Sequence, residues 1–142
     1  MAAKVITSYW EGGYRCRIPV RGFEIIADEP LDEGGTDTGP APTDLFLASL
    51  ASCFTMAVYH AARKRGIELA DLAVKTTGHY EGLRYDEIKV EVISSHPRGE
   101  LEKFVERAKN WCYVSNTLRN DVRLEYAIAD AEPSPEPSSP PA

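Results

Sequence analysis

The amino-acid sequence predicts an α+β fold, on three observations. Short strand-like runs come in two sets, one long apolar helical run separates them, and no tandem strand-helix-strand alternation of the kind that builds a parallel sheet occurs. The predicted order is three strands, a long helix, two strands, a second helix and a last strand. At 142 residues, 43% hydrophobic and 27% charged, the chain suits one globular domain over 1–128, with 129–142 as a tail.

Val5 to Trp10, Tyr14 to Val20 and Phe23 to Asp28 are rich in aromatic and β-branched residues, with turn signals at Gly12-Gly13 and Arg21-Gly22, and predict an antiparallel meander. DEPLDEGGTDTGPAP, Asp28 to Pro42, has the Gly, Pro and Asp content of a long loop without regular structure. A helix follows, capped near Thr43 and running to about Arg65. Asp44 in its first turn and Arg63, Lys64 and Arg65 in its last suit the helix dipole, and Gly66 is a left-handed stop. Its body is apolar on nearly every side, so it should be covered all round by sheet or by a partner chain.

Ala73 to Tyr80, Ile88 to Ser94 and Val122 to Ile128 form the second strand set. Before the last of these, GELEKFVERAKNWC carries Leu101, Phe104, Val105 and Ala108 at helical spacing, and Val114 to Asn120 could add a short helical turn. From Ala129 the Pro-, Ser- and Glu-rich segment has too little apolar surface to fold and is expected to be disordered.

A net charge of −6 without a basic tail argues against a nucleic-acid partner, whose binding draws on clustered Lys and Arg. MAAKVITSYWEGG lacks the apolar core of a secretory signal. The run Leu45 to Ala62 is broken by Ser49, Ser52, Thr55 and His60 and falls short of a membrane span. The expectation is a cytoplasmic protein with no membrane partner. Cys16, Cys53 and Cys112 are odd in number and widely separated, which suits neither a disulfide scaffold nor the close pairs of a zinc site. No metal and no resident cofactor are expected.

Cys53, in the middle of LASLASCFTMAVYHAARKRG, is either packing or chemistry. Free cysteine is a small hydrophobe in many apolar helices, and a mid-helix thiol gains nothing from the helix N-terminus. If it reacts, a cation must be brought to it. Arg15 and Arg17 share one face of the second strand while Cys16 points to the other; they are either that cation or ordinary surface charge. Cys112 precedes VSNTL, where a new helical turn could present amide N–H groups to its sulfur; otherwise it is a buried helix-end residue. His60, two turns after Cys53, is too distant to be its base and is expected in packing or a dimer contact.

GGTDTGPAPTDLFLASLASCFTMAV together with WCYVSNTLRNDVRLEYAI resembles the family of osmotically inducible protein C and organic hydroperoxide resistance proteins (OsmC/Ohr). The resemblance spans about Phe23 to Ile128. It implies two antiparallel three-stranded sheets around a long central helix, in an intertwined homodimer. It also implies thiol-dependent reduction of organic hydroperoxides: Cys53 would attack the peroxide and become a sulfenic acid, Cys112 would condense with it to a disulfide, and an external dithiol, a lipoyl protein or small thiol, would restore both. Full ionisation of a thiol of ordinary pKa gains at most about thirtyfold, ~2 kcal/mol, at neutral pH. The remaining acceleration falls to a guanidinium over the peroxide, Arg17 or Arg15.

Two positions depart from the family pattern. Peroxidase members carry a glutamate directly after the helix-opening proline, holding the arginine; here that residue is Thr43, and the acid is Asp44, about 100° further round the helix. Tyr113 stands where a proline usually follows the second cysteine. The alternative function is an OsmC-like module that binds a hydrophobic ligand or senses redox state with little turnover.

Overall fold

The computed structural model describes residues 2–130, which divide into two compact units, residues up to Leu45 with those from Tyr126, and Phe46–Glu125. In the first unit, β1 (Tyr9–Trp10), β2 (Cys16–Val20) and β3 (Phe23–Ala27) form an antiparallel sheet in that order. Arg17 stands opposite Tyr9 on one side and Ile26 on the other, while Cys16 lies between Trp10 and Ala27. β1 is shorter than the expected Val5 to Trp10. The next hydrogen bond along this ladder would need an N–H from Pro19, which has none, so the pairing stops and Val5 is exposed.

Asp28 organises the loop after β3. Its carboxylate, almost fully buried, accepts hydrogen bonds from the amides of Glu29, Thr36 and Thr38 and from both threonine hydroxyls. The loop thereby folds tightly on itself. A Cβ on Gly35 would lie 1.9 Å from the Glu29 carbonyl oxygen, and one on Gly39 would lie 2.3 Å from that of Ile26. The loop is not wholly irregular as its composition predicts, because Leu31–Glu33 forms one 3-10 turn closed by Gly34.

α1 (Pro42–Lys64) leads into the second unit, where β4 (Ala73–Glu81) and β5 (Arg84–Ile93) form a hairpin and are followed by α2 (Arg98–Trp111) and α3 (Tyr113–Arg119). β5 begins four residues before the expected Ile88. Asp86 and Glu87 hid that start, but a two-stranded sheet tolerates polar residues on its wet side. Leu50, Phe54, Ala57, Val58, Ala61 and Ala62 of α1 pack with Leu101, Phe104 and Ala108 of α2, and Val74, Ile88, Val90 and Val92 of the hairpin close this core.

Within the single chain one stripe of α1 is buried, and Phe46, Met56 and Tyr59 are exposed, so the chain's own sheets do not supply the cover expected all round. The second sheet has two strands among the described residues instead of the expected three. Val122 to Ile128 forms no ladder, and Val122, Leu124, Tyr126 and Ile128 are all exposed, so this alternating apolar row finds no surface to bury against. The predicted tail, past Asp130, lies outside the described residues.

Candidate active site

Cys53 and Cys112 meet within the second unit. All three cysteines are free thiols, and Cys53 packs against the buried cluster that contains Cys112. α1 supplies Cys53, two turns before the exposed His60, and the α2–α3 junction supplies Cys112. Cys112 is fully buried, whereas Cys53 is half-buried in the wall of a cleft of about 530 Å³. Met56, His60, Trp111, Tyr113 and Asn116 line the rest. One thiol thus has access to solvent and the other does not.

The Cys112 sulfur is the N-cap of α3. Its backbone is extended, φ −85° and ψ 104°, and its Sγ accepts the Ser115 amide hydrogen at 3.4 Å, the place usually filled by a Ser or Asp oxygen. Ser115 Oγ donates in turn to the Cys112 carbonyl oxygen at 3.3 Å. Burial is the largest influence on this thiol and pushes its pKa up. Hydrogen bonding from the Ser115 side chain and amide, the Cys53 thiol and the Val114 amide outweighs burial, leaving Cys112 below the ordinary thiol value. The turn foreseen at VSNTL is therefore a helix whose amides do face the sulfur. Ser115 was missed by the sequence analysis, although its place three residues after Cys112 is the spacing at which an N-cap meets its amide.

His60 packs edge-on against Trp111, ring centroids 4.6 Å apart, and Lys64 Nζ lies 5.6 Å from the same indole. These contacts give His60 a packing partner beside the cleft. Among the described residues no cluster of three or more His, Cys, Asp or Glu side chains is placed to hold a metal ion.

The other candidates belong to the first unit. Arg15 lies in the turn before β2 with its side chain 35% exposed, while Arg17 in β2 is only 7% exposed. Arg17 pairs with Glu11 at 3.4 Å and Glu24 at 3.9 Å, with its guanidinium carbon 5.2 Å from the Tyr9 ring centre. Asp44 is engaged locally, since its Oδ2 accepts the Ala41 amide hydrogen at 2.9 Å as half of a capping box on α1.

The profile of the OsmC-like protein family matches residues 35–127. An uncharacterized protein of Haloferax volcanii is 27% identical over 125 residues, covering 83% of this chain and 89% of its own. An OsmC-like protein from Mycoplasma pneumoniae matches with a TM-score of 0.68 at 22% identity, covering 84% of this chain and 89% of its own. An organic hydroperoxide resistance protein OsmC from Legionella pneumophila gives 0.59 at 23%, covering 84% and 92%. At these identities the structural likeness is one of α+β fold.

Proposed function

Because this chain belongs to the OsmC-like protein family, we propose that it reduces organic hydroperoxides to alcohols with Cys53 as the attacking thiol and Cys112 as the resolving one. The carrying observation is the packing of an accessible thiol in the cleft wall against a cluster that holds a fully buried one. The Cys53 sulfur attacks the terminal oxygen of the hydroperoxide: the S–O bond forms, the O–O bond breaks, and the departing alkoxide takes a proton to become the alcohol. The Cys112 thiolate then attacks the sulfenic sulfur, displacing hydroxide, which leaves as water. An external dithiol, a lipoyl protein or a small thiol, returns two electrons and two protons and reopens the disulfide.

Arg17 is the preferred cation for this chemistry over Arg15, because a buried guanidinium polarises a peroxide more strongly than a solvated one. Asp44 is assigned to capping α1. The proposed functional unit is a cytoplasmic homodimer; the dimer is supported by the uncovered apolar side of α1 and the exposed apolar row Val122 to Ile128.

The deciding experiment is stopped-flow reduction of cumene hydroperoxide against hydrogen peroxide by wild type, Cys53→Ser and Cys112→Ser. Wild type loses two thiols per equivalent of hydroperoxide, Cys53→Ser loses the reaction, and Cys112→Ser stops at a sulfenic acid trapped by dimedone. A Cys53→Ser protein with undiminished rate removes the peroxidase reading. The second reading, a ligand-holding or redox-sensing module, is favoured by Thr43, which cannot act as the family glutamate. It predicts slow wild-type turnover and a faster Thr43→Glu variant.

A further inference from the structure

We propose that Glu11 and Glu24 are positioning residues for Arg17, holding it from the sheet as the family's glutamate does from the start of the helix. The proposal rests on Arg17 being the cation that serves Cys53, but its geometry lies wholly within the first unit.

The sheet's register creates this arrangement. Side chains alternate along a strand, and Arg17 faces Tyr9 across β1–β2 and Ile26 across β2–β3. Glu11, two residues after Tyr9, returns to the same face. So does Glu24, opposite Pro19, two residues after Arg17. Arg15 joins them, because Glu11 and Arg15 face each other where the Glu11 amide donates to the Arg15 carbonyl oxygen at 3.0 Å. One face of a small sheet thus gathers two guanidiniums and two carboxylates.

Within that set Arg17 is constrained from three directions. Its Nε is 3.4 Å from Glu11 Oε2, its Nη1 is 3.9 Å from Glu24 Oε2, and the Tyr9 ring lies against the guanidinium. A cation buried this deeply requires compensating anions. Glu11 is itself fixed: its other oxygen takes Arg15 Nε at 3.0 Å, and the Gly12-Gly13 turn beneath it is stapled by the Trp10 indole N–H donating to the Gly13 carbonyl oxygen at 2.9 Å. Glu11 and Glu24 are thus carboxylates within ion-pair distance of Arg17, while Asp44 Oδ2 takes the Ala41 amide hydrogen.

The test uses full-length protein as wild type, Glu11→Gln/Glu24→Gln, Arg17→Gln and the triple variant, with two readouts. One is the rate of Cys53 oxidation by cumene hydroperoxide; the other is solvent exchange of the Arg17 Nε–H followed by NMR. The glutamine pair is expected to slow oxidation about tenfold and to speed Arg17 Nε–H exchange by a similar factor, and the triple variant to be no slower than Arg17→Gln, since the glutamates act through Arg17. Wild-type oxidation in the glutamine pair alongside a slow Arg17→Gln overturns the proposal, as does a triple variant slowed by the product of the two effects. An Arg17→Gln protein that oxidises at the wild-type rate removes Arg17 from the reaction; Nε–H exchange then decides the clamp alone, and unchanged exchange overturns it. Should the glutamine pair fail to fold, Glu11→Gln alone, at a partly exposed carboxylate, carries the same comparison with Glu11→Gln/Arg17→Gln.

Discussion

Asp28 is buried among amides and hydroxyls, and they act on its charge directly. Hydrogen bonds from the Thr36 and Thr38 side chains, foremost, with the Glu29 and Thr38 amides, hold its carboxyl well below the usual carboxylate range against the opposing effect of burial. A carboxylate depressed on folding stabilises the fold fully above its unfolded pKa of about 3.9 and loses that contribution as pH falls toward the folded value. Asp71, lowered by the Ser95 amide and side chain and by the Ser94 hydroxyl, adds to the same acid limb. Urea unfolding between about pH 6 and 2 should therefore show stability falling with acid in wild type and falling less steeply in Asp28→Asn, which is also less stable at neutral pH. An unchanged slope would remove Asp28 from the acid limb. Residues of this kind divide by legibility. Cys53 and Cys112 could be read because each sits in a distinctive local run. Glu11 and Glu24 could not, because their partnership with Arg17 exists only once the sheet's register is set about the Gly12-Gly13 and Arg21-Gly22 turns.

α1 was legible as an element for the usual reasons of length, apolarity and end charges, and it forms almost where expected. The acid in its first turn acts more specifically than the dipole argument required, because Asp44 bonds one amide, that of Ala41. Asp44→Ala should lower stability by about 1 kcal/mol in urea unfolding while leaving the number of reactive thiols unchanged. A loss of thiol reactivity with full stability would instead place Asp44 in the chemistry. β1 and β5 were misjudged at their ends for opposite reasons: Pro19 cuts a ladder that hydrophobicity favoured, and solvent on one face of the hairpin admits charges that hydrophobicity disfavoured. The short α3 was legible only as a potential turn, since its cap is a thiol in place of an oxygen.

At the scale of the whole molecule, the chain leaves apolar surface that its own elements do not cover, on α1 and along Val122 to Ile128. Alternation made that last segment read as a strand; a strand also needs a neighbour, which no sequence pattern supplies. A homodimer would bury both surfaces. Sedimentation at micromolar concentration should then give a dimer for wild type and a monomer for Leu124→Lys/Ile128→Lys with the helical circular dichroism retained. A monomeric wild type would discard the dimer.

The contact between Cys53 and Cys112 has a consequence for the unfolded chain as well. A bond between them would close a loop of roughly 60 residues that contains the whole β4–β5 hairpin and α2, and by loop entropy alone would disfavour the unfolded ensemble by about 4 kcal/mol. Oxidation would then raise the stability of the fold and reduction would lower it, so its melting temperature would report the redox state of its surroundings.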